Sequence, residues 1–334
     1  MIGARHLRLG WRYLAGQARR VHPFEVQAQL WNACDQRCLY CRCPQVETTL
    51  LSTGEWRMII RSLRKLGTLR LKFQGGEPTL RPDFRELCFE AKERGLRTAT
   101  VSHGLGIASR PDLLDYLDEL VVSLDSLNPE VNDRLRGRGA QRGALRAIDL
   151  ALGRGLPTYI NMAVCRINLR DLEPMLEFCE ARGLLMNAQP IIFGRTYYEE
   201  AAKPLGLAPD EVRSLHRRLA GWKKQGRSLL FSTRAYLKAV DWPDLAELTV
   251  RSAGPSACPA GKDYFHVEPN GDVLPCIQHG ASFSPKNIIR DGIENAFRHA
   301  REHDCGDCWP AYLNERKLLF RFDPGALRGL IRRK

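Results

Sequence analysis

The chain has 334 residues, 44% of them hydrophobic, and a formal net charge of +13, enough to bury a full core in one large domain with a small appendage. It contains no apolar run of about 18 residues, and residues 1–20 lack the apolar block and small-residue cleavage site of a secretory signal, so a soluble cytoplasmic protein is expected. The positive charge gathers in residues 5–20 and 316–334 without an RNA-binding aromatic signature, so no nucleic-acid partner is expected.

In chain order, residues 1–23 form a basic helix with Leu7, Trp11 and Leu14 on one face and Arg5, Arg8, Arg12, Arg19 and Arg20 around the others. Such a helix either makes a peripheral membrane contact or packs on the body of the protein with its arginines in water. From 24 to 192 strand and helix patterns alternate, the mark of parallel βα units. Strands are expected at 24–30, 69–73, 97–101, 120–124, 157–164 and 185–191. The first helix is signalled by the capping-box pair Ser52 and Glu55, the apolar face Trp56, Ile59, Ile60 and Leu63, and Gly67 at its end. Further helices are expected near 82–94, 111–118, 141–154 and 169–182. Six units with right-handed crossovers curl into a partial (β/α)6 TIM-like barrel of the α/β class, with its functional mouth at the strands' C-terminal ends. Residues 193–256 break the alternation and are read as a helical bridge or lid, with a basic helix over 209–225 and a looser one over 233–250. Residues 257–312 form a small α+β C-terminal domain, in which Asn270-Gly271 between strands 264–267 and 272–274 signals a hairpin. Residues 313–334 are a basic tail.

Eleven cysteines in a reducing compartment argue for metal ligation rather than disulfides. Cys88, Cys165 and Cys179 sit in apolar helical or strand stripes and are read as packing thiols. Cys34, Cys38 and Cys41 share one loop after the first strand, where three thiolates can converge on a small inorganic cluster. Three ligands leave one iron open. A zinc knuckle wants four ligands, and Cys43 is a candidate fourth, so these spacings alone leave both readings standing.

The residues now in view resemble the radical S-adenosylmethionine superfamily. They are Cys34, Cys38 and Cys41 with the aromatic Tyr40 before the third, Gly75-Gly76-Glu77-Pro78 ending the second strand, and Ser123 and Asp125 ending the fourth. The resemblance implies a 4Fe-4S cluster that cleaves S-adenosylmethionine reductively to a 5'-deoxyadenosyl radical, which takes a hydrogen atom from substrate. It implies that Glu77 accepts from the methionine ammonium, that Ser123 and Asp125 contact the ribose, and that Tyr40, Asn161 and Gln189 also line the cofactor site. His103, Tyr197 and Tyr198 are candidates for substrate contact or proton transfer.

The second group, Cys258, Cys276, Cys305 and Cys308, resembles the family's short auxiliary-cluster domain, the twitch or SPASM-like kind, and implies a second 4Fe-4S cluster for electron transfer. Four-cysteine zinc fits the same spacing. A flavodoxin- or ferredoxin-type reductant is the implied partner. The expected substrate is a small metabolite or a lipid or isoprenoid, because the segment before the first strand is short for a leader-peptide-binding domain and the ends are basic. Peptide maturation is the alternative. From a different class, a non-catalytic iron-sulfur carrier or a zinc-dependent nucleic-acid binder would need neither the Gly75-Gly76-Glu77 turn nor Ser123 at a strand end.

Overall fold

A computed structural model describes residues 23–193, 197, 199–250, 258–279, 283–303 and 306–331. The basic N-terminal helix, Tyr198 and Cys305 lie outside the described residues. Six parallel strands run in sequence order: β1 (Glu25–Gln29), β2 (Arg70–Gln74), β3 (Arg97–Ser102), β4 (Glu119–Ser123), β5 (Thr158–Val164) and β6 (Leu185–Pro190). Between them lie α1 (Thr53–Leu66), α2 (Phe84–Glu93), α3 (Leu105–Ser109), α4 (Pro129–Arg136), α5 (Ala140–Leu152) and α6 (Leu172–Ala181). The α1 capping box forms as the sequence implies: Ser52 Oγ accepts from the Glu55 amide, and the Ser52 amide donates to Glu55 at 2.7 Å. Gly67 closes the helix at φ 93°, a left-handed turn that glycine adopts without steric cost. Helices α3 and α4 were not expected, and the segment near 111–118 is a 3-10 turn rather than an α-helix.

Each strand presents two unlike faces because side chains alternate. Leu71, Phe73, Leu120, Val122, Ile160, Met162, Met186 and Ala188 are fully buried against the helices, sharing one core with Trp56, Ile59, Ile60 and Leu63 of α1. At about 25 cal/mol per Å² of apolar surface this layer is the main stabilising term. The alternate positions, Arg70, Lys72, Gln74, Asn161, Asn187 and Gln189 among them, face the barrel's interior and are polar. The expected packing thiols Cys88, Cys165 and Cys179 are all fully buried.

Beyond β6 come α7 (Pro209–Lys224), α8 (Thr233–Val240) and β7 (Thr249–Val250), then β8 (Tyr264–Val267), β9 (Asp272–Leu274) and β10 (Lys286–Asn287). The hairpin forms, with Gly271 at φ 90°. Its first strand does something local patterns do not announce: β8 pairs in parallel with β1, Glu25 opposite Tyr264 and Gln27 opposite His266. The sheet is thereby nine-stranded, in the order β10-β9-β8-β1-β2-β3-β4-β5-β6. The boundary expected at 256/257 is crossed by this sheet, so the hairpin extends the barrel instead of standing apart from it. After α9 (Ile288–Asp291), α10 (Ile293–Arg301) and β11 (Asp307–Cys308), the expected basic tail is α11 (Ala311–Phe320) and α12 (Pro324–Ile331). Its Arg316 turns inward, pairing with Glu25 of β1 at 2.8 Å and lying over the Tyr264 ring at 4.3 Å. Among the described residues no helix is long and apolar enough to cross a membrane.

Candidate functional site

Strand β1 delivers the chain to the mouth, and the cysteine loop begins there. Its backbone is seated on the turn after β2: the Gly76 amide donates to the Trp31 carbonyl at 2.9 Å and the Glu77 amide to Ala33 at 2.8 Å. The glycines are required by this contact. A Cβ at Gly75 would stand 2.3 Å from the Trp31 oxygen, and one at Gly76 2.2 Å from the Ala33 oxygen. The other end of the loop docks on α4, whose last carbonyls have no partner within the helix. Leu39 donates to the Leu135 carbonyl at 2.9 Å and Arg37 to that of Arg136 at 3.2 Å.

Cys34, Cys38 and Cys41 are half-buried on this loop. Burial pushes the Cys34 thiol up to about 12 and raises Cys38 and Cys41 as well, with Cys38 adding to the rise at Cys34 and Cys41 to that at Cys38. Thiols this reluctant to ionise alone become thiolates when a cation sits among them, and metal binding supplies that charge. Three soft sulfur donors on one loop therefore fit an iron-sulfur cluster. Cys43 is more buried than its neighbours and its thiol is raised too, chiefly by burial.

Glu77 is 1% exposed, and protein donors hold its carboxylate in place. One oxygen accepts from the Thr79 amide, the Thr79 hydroxyl at 2.6 Å and Ser102 Oγ at 2.8 Å; the other accepts from the His103 amide at 2.9 Å. Three donors thus converge on one oxygen, while the other has the His103 amide and, at 3.2 Å, the His103 ring Nε2. The His103 ring is buried beside it. Its Nδ1 accepts from the Leu105 amide, which leaves the proton on Nε2, 2.7 Å from Asp35. Cys34, Asp35 and His103 place one donor atom each within 4.8 Å of one another. His103 thus braces the residue next to Cys34 and is itself buried.

Tyr40 and Asp125 also turn toward the protein. Asp125 is fully buried; Arg136 Nη1 lies 3.0 Å from its carboxylate and 2.6 Å from the Tyr40 hydroxyl, which itself donates to Asp125. The second Asp125 oxygen accepts from the Ala163 amide at 2.8 Å. Asn132 and Asn168 hold the Asp125 backbone, so β4, β5, α4 and the cysteine loop meet at one side chain. Burial first, and then the Asp125 carboxylate, push the Tyr40 hydroxyl far above its ordinary value. Protein donors thus reach both Asp125 oxygens, Tyr40 and Arg136 at one and the Ala163 amide at the other.

Ser123, Asn161 and Gln189 lie on the inner face. Asn187 bridges the latter two, donating to Asn161 at 2.7 Å and accepting from Gln189 at 3.0 Å, while Gln189 Oε1 is buried with no partner. On the β8 side the sequence candidate Tyr197 joins three residues that sequence reading missed: Gln74 Nε2 lies 3.4 Å from His266 Nδ1, His266 Nε2 3.1 Å from Glu268, and the Tyr197 hydroxyl donates to Glu268 at 2.6 Å. Burial opposes ionisation of Glu268, but His266 and Tyr197 outweigh it and lower its carboxyl. Lys72 and Arg136 were missed as well. The alternation Arg70-Leu71-Lys72-Phe73-Gln74 was the available signal for Lys72.

The second cysteine group comes together around the hairpin. Cys258, Cys276 and Cys308 share one buried cluster with Ala260, Tyr264 and Leu313. Burial, helped by Cys258, lifts Cys276 to about 11, and Cys308 rises well above its ordinary value for the same reasons. Cys305, two residues before β11, lies outside the described residues.

Residues 29–179 match the Radical SAM superfamily. The chain is 29% identical to the PqqA peptide cyclase of Granulibacter bethesdensis, over 86% of this chain and 74% of that protein. It is 29% identical to that of Ruegeria pomeroyi, over 79% and 69%. Among solved structures, Streptococcus suis SuiB bound to the precursor peptide SuiA superposes with a TM-score of 0.62 at 19% identity, over 94% of this chain and 78% of that one. Native anSMEcpe with bound AdoMet gives 0.65 at 14% identity, over 92% and 100%. These structural likenesses establish a shared fold.

Proposed function

This chain is a radical S-adenosylmethionine enzyme, and from that premise we propose that its substrate is a peptide, which it modifies by abstracting a hydrogen atom. The observation that carries the reading is the reach of the similarity to the peptide cyclases. It covers 86% of the chain, well beyond residues 29–179, and so takes in parts of the protein that shape the mouth and not only those that serve the common cofactor. The solved structure of SuiB with a precursor peptide adds support. The small-metabolite or lipid expectation rested on a short first segment and basic ends, and Arg316 at one of those ends is turned into the barrel.

In this reading Cys34, Cys38 and Cys41 hold the first 4Fe-4S cluster. The backbone of the Gly75-Gly76-Glu77 turn, with Ser123, Asn161 and Gln189 on the inner face, receives S-adenosylmethionine. When bound, the two together supply the 5'-deoxyadenosyl radical. The chain's own part is positioning and exclusion of water: Glu77 fixes the turn and His103 from beneath, and the Asp125–Arg136–Tyr40 node fixes the far end of the cysteine loop. Cys258, Cys276 and Cys308, with Cys305, hold an auxiliary cluster, and Glu268 at the mouth is placed to accept a proton. A flavodoxin- or ferredoxin-type protein provides the electron.

The test is label transfer. Anaerobically reconstituted enzyme is reduced in the presence of S-adenosylmethionine and a perdeuterated peptide library, in parallel with perdeuterated metabolite and lipid extracts. Deuterium in 5'-deoxyadenosine from the peptide arm, with altered peptide masses, is expected. Label arriving from the metabolite or lipid arm alone sinks the peptide reading.

A further inference from the structure

The inner face of the barrel carries unequal charge. Strand register sets Glu25 opposite Arg70, and Gln27 and Ala99 on either side of Lys72. Glu119 lies opposite Ala99 on the next strand. Glu25 pairs with both Arg70 and Arg316, and Glu119 pairs with Arg70. The two carboxylates and two guanidiniums therefore answer each other, and Lys72 is left as a further charge on a face that also carries Arg97, opposite Arg70, and Glu268, which His266 and Tyr197 already hold. Among the described residues it makes no ion pair. The neighbour on one side, Ala99, is small, and on the other side Gln27 accepts from Tyr264 through its carbonyl oxygen at 2.8 Å, which leaves the amide nitrogen of Gln27 as a donor beside the ammonium. Lys72 sits two residues before Gln74, about 7 Å along the strand below the mouth.

We propose that the barrel interior holds an anion subsite, built from Lys72 with Gln27 as second donor, that receives a carboxylate of the substrate. Resting on the peptide reading, this makes the substrate a peptide whose acidic side chain enters the barrel. The physical reason is charge balance: a lone ammonium among guanidiniums in a part-buried site is unfavourable until an anion joins it, and a charge-assisted hydrogen bond is stronger there than in water. Burial, then Arg70 and Arg316, bring the Lys72 ammonium down to about 8, while Glu25 and Glu119 oppose that shift without cancelling it. Arg97, His266, Glu268, Tyr159 and Tyr264 are further titratable groups on this face.

The experiment uses reconstituted full-length enzyme saturated with S-adenosylmethionine and left unreduced, so that nothing turns over. It is titrated by calorimetry with N-acetyl-glutamate N-methylamide and with the glutamine counterpart, identical but uncharged. We expect the glutamate ligand to bind about tenfold or more tighter, the preference to vanish in Lys72→Met, and most of it to return in Lys72→Arg. S-adenosylmethionine affinity should be the same in all three. Equal binding of the two ligands to wild type, a preference that survives Lys72→Met, or a Lys72→Met variant that loses S-adenosylmethionine instead would each overturn the subsite. Should Lys72→Met fail to fold, wild type alone decides: the preference must fade as pH rises past about 8. The peptide reading is judged separately by label transfer, so an enzyme that modifies peptides without preferring glutamate loses only the Lys72 subsite.

Discussion

Replacing Arg136 by Ala tests whether one buried ion pair holds the far end of the cysteine loop. Asp125 is fully buried, and Arg136 stands 3.0 Å from it with a side chain 10% exposed. Removing the guanidinium leaves a carboxylate in the interior with only the Ala163 amide and the Tyr40 hydroxyl as partners. Breaking a buried pair from one side costs about 3–5 kcal/mol, because the remaining charge is uncompensated. With a shift of about 2 °C per kcal/mol for a domain of this size, apoprotein melting should fall by about 6–10 °C. Asp125→Asn should cost less, since the amide keeps an acceptor for Arg136. The double variant Asp125→Ala with Arg136→Ala should recover part of the loss, as a coupled pair does in a mutant cycle. Anaerobic circular-dichroism melts of apoprotein measure this, and iron per chain after reconstitution reports the loop. An Arg136→Ala loss below about 1 kcal/mol, the range of an exposed pair, would refute the reasoning.

Gly76→Ala should abolish most iron incorporation at the first cluster while leaving the secondary structure intact, because its Cβ would meet the Asn32 and Ala33 carbonyls at 2.3 and 2.2 Å and push the loop away; full iron content in this variant would contradict the seating described. Cys308→Ala should remove about half of the iron and leave S-adenosylmethionine binding unchanged under the two-cluster reading, whereas zinc loss with iron unaffected would point to a structural zinc site. Lys72 should also leave a mark on stability. Its folded value of about 8 lies below the unfolded lysine value, so between these the unfolded chain binds more protons and stability rises with pH, by up to about 3 kcal/mol. Below pH 8 both states are protonated and the penalty is fully present, so the difference between wild-type and Lys72→Met melts should shrink from pH 8 toward 10.5; a flat difference would count against a strained ammonium.

The βα framework is legible because each signal is local. Ser52 and Glu55, the Trp56-Ile59-Ile60-Leu63 face and Gly67 specify α1 within sixteen residues, and six strand patterns announce six strands. The cysteine loop and the Gly75-Gly76 turn are likewise short motifs. Helix α4 escaped although Asn128 and Pro129 are good start signals, with Asn128 accepting from the Glu130 and Val131 amides. The β1–β8 pairing was out of reach for another reason. Glu25 and Tyr264 are far apart in sequence, and nothing in either strand's two-residue period names its neighbour. That one pairing decides much of the site, since it carries His266 and Glu268 to the mouth and sets Tyr264 beneath Arg316.

The same limit hides the protein partners of two motif residues. Glu77 and Asp125 occur where the resemblance expects cofactor contacts, yet a residue type cannot reveal how many protein donors will converge on it. Four or more reach Glu77, and Arg136 and Tyr40 reach Asp125 from a helix and a loop that local patterns do not bring together. A buried carboxylate without partners would be costly, so once these side chains are enclosed by the cysteine loop the protein must furnish the partners itself. Lys72 is the opposite case: an enclosed charge left without an answering one, which is why it directs attention to what the substrate must bring.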